Sequence, residues 1–301
     1  MMKRISLKKL SVLINIIAIV AVALVLSSCG TSQEKDLVVQ EPTVEVADEE
    51  AHTPPEEPEE EPNEEPKEQM PEEEVVPPPP VEESNNEPQK TLEGLFIGID
   101  AGHQTHGNSS QEPVFPGASE TKAKVSSGTA GVSSGLSEYE LNLDVALKLQ
   151  AVLESKGAEI LMVRTENDVD ISNVERATMM NDAGVDLCLR IHANGGDSSA
   201  SGAMMLVPGA DSTKNIEFAS VLAGEIIFES YLAETGAKDL GVIYRNDLSG
   251  FNWLEVPGCL IEMGFMTNHE EDLLMASPEY QEKIVAGLTK GIEKWYAETM
   301  Q

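Results

Sequence analysis

Hydrophobic and polar positions between residues 91 and 301 alternate on two length scales. Short, nearly continuous apolar runs occur at 95–101 (LFIGIDA), 159–163 (EILMV), 185–191 (VDLCLRI), 203–207 (AMMLV) and 258–263 (GCLIEM). Longer segments of helical period separate them, at roughly 137–156, 173–183, 215–234 and 269–298. Apolar runs of this length fit buried strands, and the periodic segments fit amphipathic helices. Their alternation predicts an α/β fold: a single domain with a mostly parallel, twisted central sheet flanked by helices. In such sheets ligands bind beyond the carboxyl ends of the strands. His103 follows the first run by two residues and His192 directly follows the third, so both histidines fall on one rim.

Two carboxylates break the expected pattern. In the helix 137–156, Ser137 and Glu140 form a capping box. One residue every 100° places Leu141, Val145, Leu149 and Val152 on one stripe, with Glu140, Asp144 and Lys148 opposite. Glu138 falls in the middle of the apolar stripe. The helix dipole accounts for a glutamate in the first turn, but not for one aimed at the core, where an unpaired charge is costly. Glu262 is the sole ionisable side chain in the run 258–263, and Asn268, with Glu271 at the matching distance, caps the helix that follows. Taken alone, Glu262 reads equally as a structural carboxylate paired with Arg190 or Arg245 and as a catalytic group. Arg190 shares the strand face of His192, and Asp100 is its expected partner.

The N-terminal residues have a different composition. Lys3, Arg4, Lys8 and Lys9 precede an apolar stretch at 10–26, and small residues lead to Cys29. This reads as an export signal over residues 1–29. Its L-S-S-C ending resembles a bacterial lipobox, in which the cysteine is lipidated; an uncleaved membrane anchor is the alternative. Either reading places the remainder outside the cytoplasm; on the lipobox reading it is lipid-anchored through Cys29 to the outer face of the cytoplasmic membrane, facing the cell wall. Residues 30–90 hold twelve of the 17 prolines and 21 acidic residues against three lysines, without an aromatic side chain. Such a stretch buries too little apolar surface to offset its ordering entropy and is expected to be a disordered tether. In a polyproline conformation it spans about 190 Å at most.

Residues 91–301 form the expected catalytic domain, with 32 acidic and 13 basic residues and a net charge of −19. That balance disfavours nucleic acid and anionic lipid as partners. A monomer is expected. After Cys29, only Cys188 and Cys259 remain, both within apolar runs, and they are expected to be buried free thiols rather than a disulfide.

Two histidines and one glutamate from different strand and helix ends make the ligand set of an open zinc site. A second glutamate would then serve as acid and base. The segments IGIDAGHQ, EYELNLDVALKLQAVLESKG, ILMVRTEND, DLCLRIHANGG and VPGCLIEMGFMTNHEEDLL give this combination a specific meaning. In order and spacing they resemble the zinc-dependent N-acetylmuramoyl-L-alanine amidases of the catalytic family often called Amidase_3, over residues 95–297. The resemblance implies that His103, Glu138 and His192 bind one Zn2+ and that Glu262 is the catalytic acid/base. It further implies hydrolysis, in peptidoglycan, of the amide between the lactyl group of N-acetylmuramic acid and L-alanine.

Two other functions are compatible with the scaffold: an inactive or regulatory wall-binding module, and a zinc peptidase cutting within the stem peptide. The first calls for a missing ligand, and all four positions are filled. Asn194, Arg245 and Asn252 are candidate substrate contacts. His106, three residues after His103, lacks a fixed geometry for ligation, and His52 and His269 are expected to be solvated. The sequence departs from the family's pattern at Gln104 and Thr105, which replace a glycine pair, and at Arg190, where a small residue is commoner. The polar segment between His103 and Glu138 is either a lid or substrate-groove element, or a floppy insertion.

Overall fold

The computed structural model describes residues 90–209 and 216–300; the expected signal segment, Cys29 and the tether lie outside the described residues. Eight strands and six helices follow in chain order. The strands are β1 (Phe96–Ala101), β2 (Asn108–Pro113), β3 (Thr121–Val125), β4 (Glu159–Met162), β5 (Leu187–Asn194), β6 (Ala203–Pro208), β7 (Asp239–Arg245) and β8 (Gly258–Phe265). The helices are α1 (Glu138–Ser155), α2 (Asn173–Ala183), α3 (Glu217–Thr235), α4 (Ser249–Asn252), α5 (His269–Ala276) and α6 (Pro278–Thr299). Six strands form one sheet in the order β4-β1-β5-β8-β6-β7, parallel throughout except between β6 and β8. The expected α/β architecture is therefore the observed one.

Alternation along each strand sends its side chains to two unlike layers. Ile97, Ile99, Leu187, Leu189, Ile191 and Ile261 enter a large core with Leu141, Val145 and Leu149 of α1, Ile227 of α3 and Leu288 of α6. The other face packs Cys188, Leu206 and Leu260 against Met180 of α2 and Phe251 of α4. Helices α3 and α6 approach so closely that a Cβ on Gly291 would lie 2.6 Å from the Ile227 Cα. Any side chain there would force the pair apart.

Several elements differ from the pattern-based expectation. The helix expected over 269–298 is two helices, because Ser277 caps α6 with Pro278 at its first position. Proline suits a first turn but excludes helical conformation at the residue before it. The strand β5 extends through Asn194, so His192 lies inside the strand rather than just beyond it. β7 and the β2–β3 hairpin were not expected. The hairpin makes the segment 104–137 an ordered part of the fold rather than a floppy insertion, since Trp253 Nε1 donates to the Pro113 carbonyl (2.9 Å) and Asn173 Nδ2 to that of Lys124 (2.8 Å). Cys188 and Cys259 are free and buried, as expected. No helix among the described residues is long and apolar enough to cross a membrane.

Candidate active site

His103 lies just beyond β1 with φ of 62°, the sole non-glycine residue with positive φ among those described. A left-handed conformation at a residue with a Cβ is costly and persists only where its surroundings enforce it. Two buried arginines do so. Arg164 donates to the carbonyls of Ala101 (2.8 Å), Gly102 (3.0 Å) and Tyr139 (2.8 Å). Arg176 donates to the carbonyls of Ala101 (3.0 Å) and His103 (2.9 Å) and to Asp100 Oδ1 (2.6 Å). Gln104, one of the departures from the family pattern, is fully buried; its Oε1 accepts from Arg176 Nη2 and from the Ile171 backbone, each at 3.0 Å.

Glu138 opens α1 and points inward, as the apolar stripe required. Glu140 completes the capping box by accepting the Ser137 N–H at 2.9 Å. Glu138 Oε1 lies 3.1 Å from His103 Nε2 and 3.1 Å from His192 Nδ1. Its side chain is 4% exposed, against 16% and 12% for the two histidines. The imidazoles stand edge to face with centroids 4.8 Å apart. Gly102 sits beneath His192, where a Cβ would come within 2.2 Å of the ring.

Surrounding groups fix each of these side chains. His103 Nδ1 meets the Ser126 carbonyl at 2.9 Å, leaving Nε2 for the cluster. The Thr129 N–H donates to Glu138 Oε2 at 2.9 Å and the Ala193 N–H to Oε1 at 3.2 Å. The loop carrying Thr129 is itself tied down by buried Asp272, which accepts from the Ser133 and Ser134 backbone N–H groups and the Ser134 hydroxyl at 2.6–2.8 Å. Burial alone pushes the Glu138 carboxyl up, but hydrogen bonds from the two histidines outweigh it and hold the group well below the usual carboxylate range. Burial lowers His192 to about 4 against the opposing pull of Glu138, so its ring is neutral near pH 7. A neutral imidazole and an ionised carboxylate are the ligand forms that metals require.

These residues fit a divalent cation. One ligand atom from each of His103, Glu138 and His192 lies within 4.8 Å of the others. Tetrahedral ligands at zinc distances stand roughly 3.3 Å apart, close to the two 3.1 Å separations.

Glu262 lies opposite His192 in the β5–β8 register, where the ladder shifts between His192 and Asn194. Bulges of this kind re-aim side chains beside active sites. Neither Arg190 nor Arg245 forms an ion pair with it, and its Oε2 is buried without a partner among the described residues. Arg190 instead pairs with Asp100 at 2.9 Å, as expected. Burial, helped by the nearby Glu138 charge and opposed by Arg245 and Arg190, raises the Glu262 carboxyl to about 8.

The three candidate substrate contacts have different settings. Asn194 is half-buried at the end of β5, where its Oδ1 accepts the Gly195 N–H at 2.8 Å. Arg245 makes a two-pronged pair with Asp247 at 2.7 and 2.8 Å. Asn252 is buried in α4, where its Nδ2 donates to the Asn246 carbonyl at 3.0 Å and its Oδ1 has no hydrogen-bond partner among the described residues. His106 and His269 are exposed and stand outside that cluster. Arg164, Arg176 and Asp272 escaped the sequence reading. The available signal for Arg164 was an arginine directly after an apolar run.

A family model described as N-acetylmuramoyl-L-alanine amidase matches residues 97–294. An N-acetylmuramoyl-L-alanine amidase of Mycobacterium tuberculosis is 26% identical over 213 residues, covering 68% of this chain and 88% of the relative. A germination-specific N-acetylmuramoyl-L-alanine amidase of Bacillus subtilis is 28% identical over 182 residues, covering 56% and 74%. The crystal structure of the N-acetylmuramyl-L-alanine amidase Ami1 from Mycobacterium smegmatis superposes with a TM-score of 0.64 at 26% identity, covering 69% of this chain and 99% of that one. With the family model spanning both histidines, Glu138 and Glu262, the chain belongs to the N-acetylmuramoyl-L-alanine amidase family.

Proposed function

We propose that this chain is a zinc-dependent hydrolase of peptidoglycan, cleaving the amide between the lactyl group of N-acetylmuramic acid and L-alanine. The observation that carries the reading is the convergence of one ligand atom each from His103, Glu138 and His192 within 4.8 Å, with the buried carboxyl of Glu262 opposite His192 in the strand register. His103, Glu138 and His192 would hold the metal. Bound there, zinc supplies Lewis acidity, polarising the scissile carbonyl and making water easier to deprotonate.

The chain's own groups account for the proton traffic. Glu262 Oε2, buried and without a partner among the described residues, takes a proton from the attacking water as the carbon–oxygen bond forms. It returns that proton to the leaving nitrogen as the carbon–nitrogen bond breaks, acting as base and then as acid. Thr129 and Ser126 orient Glu138 and His103, the outer-shell support that metal ligands depend on. We infer further that the chain acts outside the cytoplasm as a monomer. In this reading it is lipid-anchored through Cys29, with residues 30–90 as spacer and 91–301 as catalytic domain.

The substitution Glu262→Gln tests the assignment. Bound zinc, measured by elemental analysis, is expected to stay at the wild-type level while amide cleavage falls about 10²–10⁴-fold. Undiminished turnover would remove Glu262 from the mechanism. Mass analysis of the products also separates this reading from a stem peptidase, because muramyl lactate with a free carboxylate marks the first and liberated amino acids the second.

A further inference from the structure

On the sheet face behind the two histidines, one buried carboxylate is shared by two buried guanidinium groups. Asp100 meets two guanidinium groups, Arg176 Nη1 at Oδ1 (2.6 Å) and Arg190 Nε at Oδ2 (2.9 Å), and all three side chains are less than a tenth exposed.

Arg190 is the member of the trio that reaches the cleft. Its Nη2 donates to Asn173 Oδ1 at 3.2 Å, while its Nη1 has no hydrogen-bond partner among the described residues. Nη1 rests on Gly250, where a Cβ would come within 1.6 Å of it, so the absence of a side chain there makes room for the guanidinium. Arg190, Gly250, His103 and His192 line one cavity of about 190 Å³, with Lys122 and Asp247 on the same wall. Asp247 is engaged by Arg245 (2.7 Å) and by Lys122 (3.6 Å), so that wall adds no net negative charge.

We propose that Arg190 determines specificity by binding a carboxylate of the stem peptide, on the peptide side of the scissile amide. The inference rests on the amidase reading above and refines its substrate. The strand offset is compatible with that carboxylate: Arg190 and His192 are two residues apart on one strand face, their Cα atoms about 6.6 Å apart. In a muramyl-L-alanyl-D-isoglutamyl peptide, the α-carboxylate of the second residue is five bonds from the scissile nitrogen, roughly 6 Å in an extended chain. A free carboxylate accepts charge-assisted hydrogen bonds from a guanidinium, which are about twice as strong as neutral ones. A primary amide at the same position presents an NH₂ donor to a cation and forfeits that gain.

The test uses soluble glycan-strand peptides in two forms, with the second stem residue as free D-isoglutamate or as D-isoglutamine. The wild-type protein is expected to favour the free acid by about tenfold or more in kcat/KM. In Arg190→Ser the preference should shrink to about twofold or less, chiefly through KM. A purely structural role for Arg190 would lower both substrates together and leave the ratio intact. Equal kcat/KM values for the wild type, or a full preference retained in Arg190→Ser, would overturn the inference while leaving the amidase reading in place. Absence of lactyl–alanine cleavage of either form would overturn the amidase reading itself. Should Arg190→Ser fail to fold, as read by circular dichroism, the uncharged but longer Arg190→Gln decides the matter: a reduced preference supports the proposal and an undiminished one refutes it.

Discussion

The two faces of the central sheet share their strands and differ in chemistry. Along β5, Leu187, Leu189 and Ile191 enter the apolar core beneath α1, α3 and α6. The residues between them face the other way: Cys188 packs near α2 and α4, Arg190 pairs with Asp100, and His192 meets Glu138. The first face is held by non-directional burial, which tolerates substitutions that conserve volume. The second depends on individual distances and charges. A one-residue slip of register would exchange them, so the apolar face also serves to aim the polar one.

This contrast can be broken from either side. The largest effect is expected for Glu138→Gln, which removes the anion between the two histidines. Zinc content and amide cleavage should both fall to background, a greater loss than the 10–100-fold that removal of an outer-shell partner costs. Retention of zinc and activity would show that Glu138 is no ligand. On the opposite face, Ile261→Ala is expected to lower unfolding stability by about 2–5 kcal/mol in denaturant titrations, while kcat of the folded protein stays within about twofold of wild type. A collapse of kcat without loss of stability would deny the division of labour.

A smaller effect concerns acid stability. Burial pushes the Asp100 carboxyl up, but Arg176 and Arg190 override it and hold the group below its ordinary value of 3.8. A carboxyl depressed by folding contributes stability that is fully present above its unfolded value and is lost as pH falls through the folded one. Denaturant titrations of the wild type below pH 4 should therefore lose stability on the order of 2 kcal/mol through this group. Asp100→Asn should show a shallower acid slope, and an unchanged slope would contradict the pairing.

The parts of the molecule legible in the sequence are those whose pattern is local. The apolar runs of β1 and β5 placed His103 and His192 on one rim and the helical period of α1 turned Glu138 inward, while the resemblance to a known family brought Glu262 into the same site. Glu138 stood out because it interrupts an apolar stripe, and Glu262 because it interrupts an apolar strand. What escaped is either exposed or long-range. The hairpin strands NSSQEP and TKAKV bury little apolar surface, and β7 is a half-exposed edge strand next to β6 alone, so neither carries a clear hydrophobic signature. Arg164 and Arg176 act on backbone carbonyls more than 60 residues away, contacts that sequence spacing does not encode. The break between α5 and α6 was marked by Ser277–Pro278, but the continuous apolar period on both sides masked it.

Zinc titration of the metal-stripped, folded chain, followed by both elemental analysis and release of lactyl-terminated muramic acid from sacculi, bears most directly on the central claim. Cleavage should be absent without the metal and rise in proportion to bound zinc, saturating at about one ion per chain. Full cleavage by protein carrying no transition metal would contradict it.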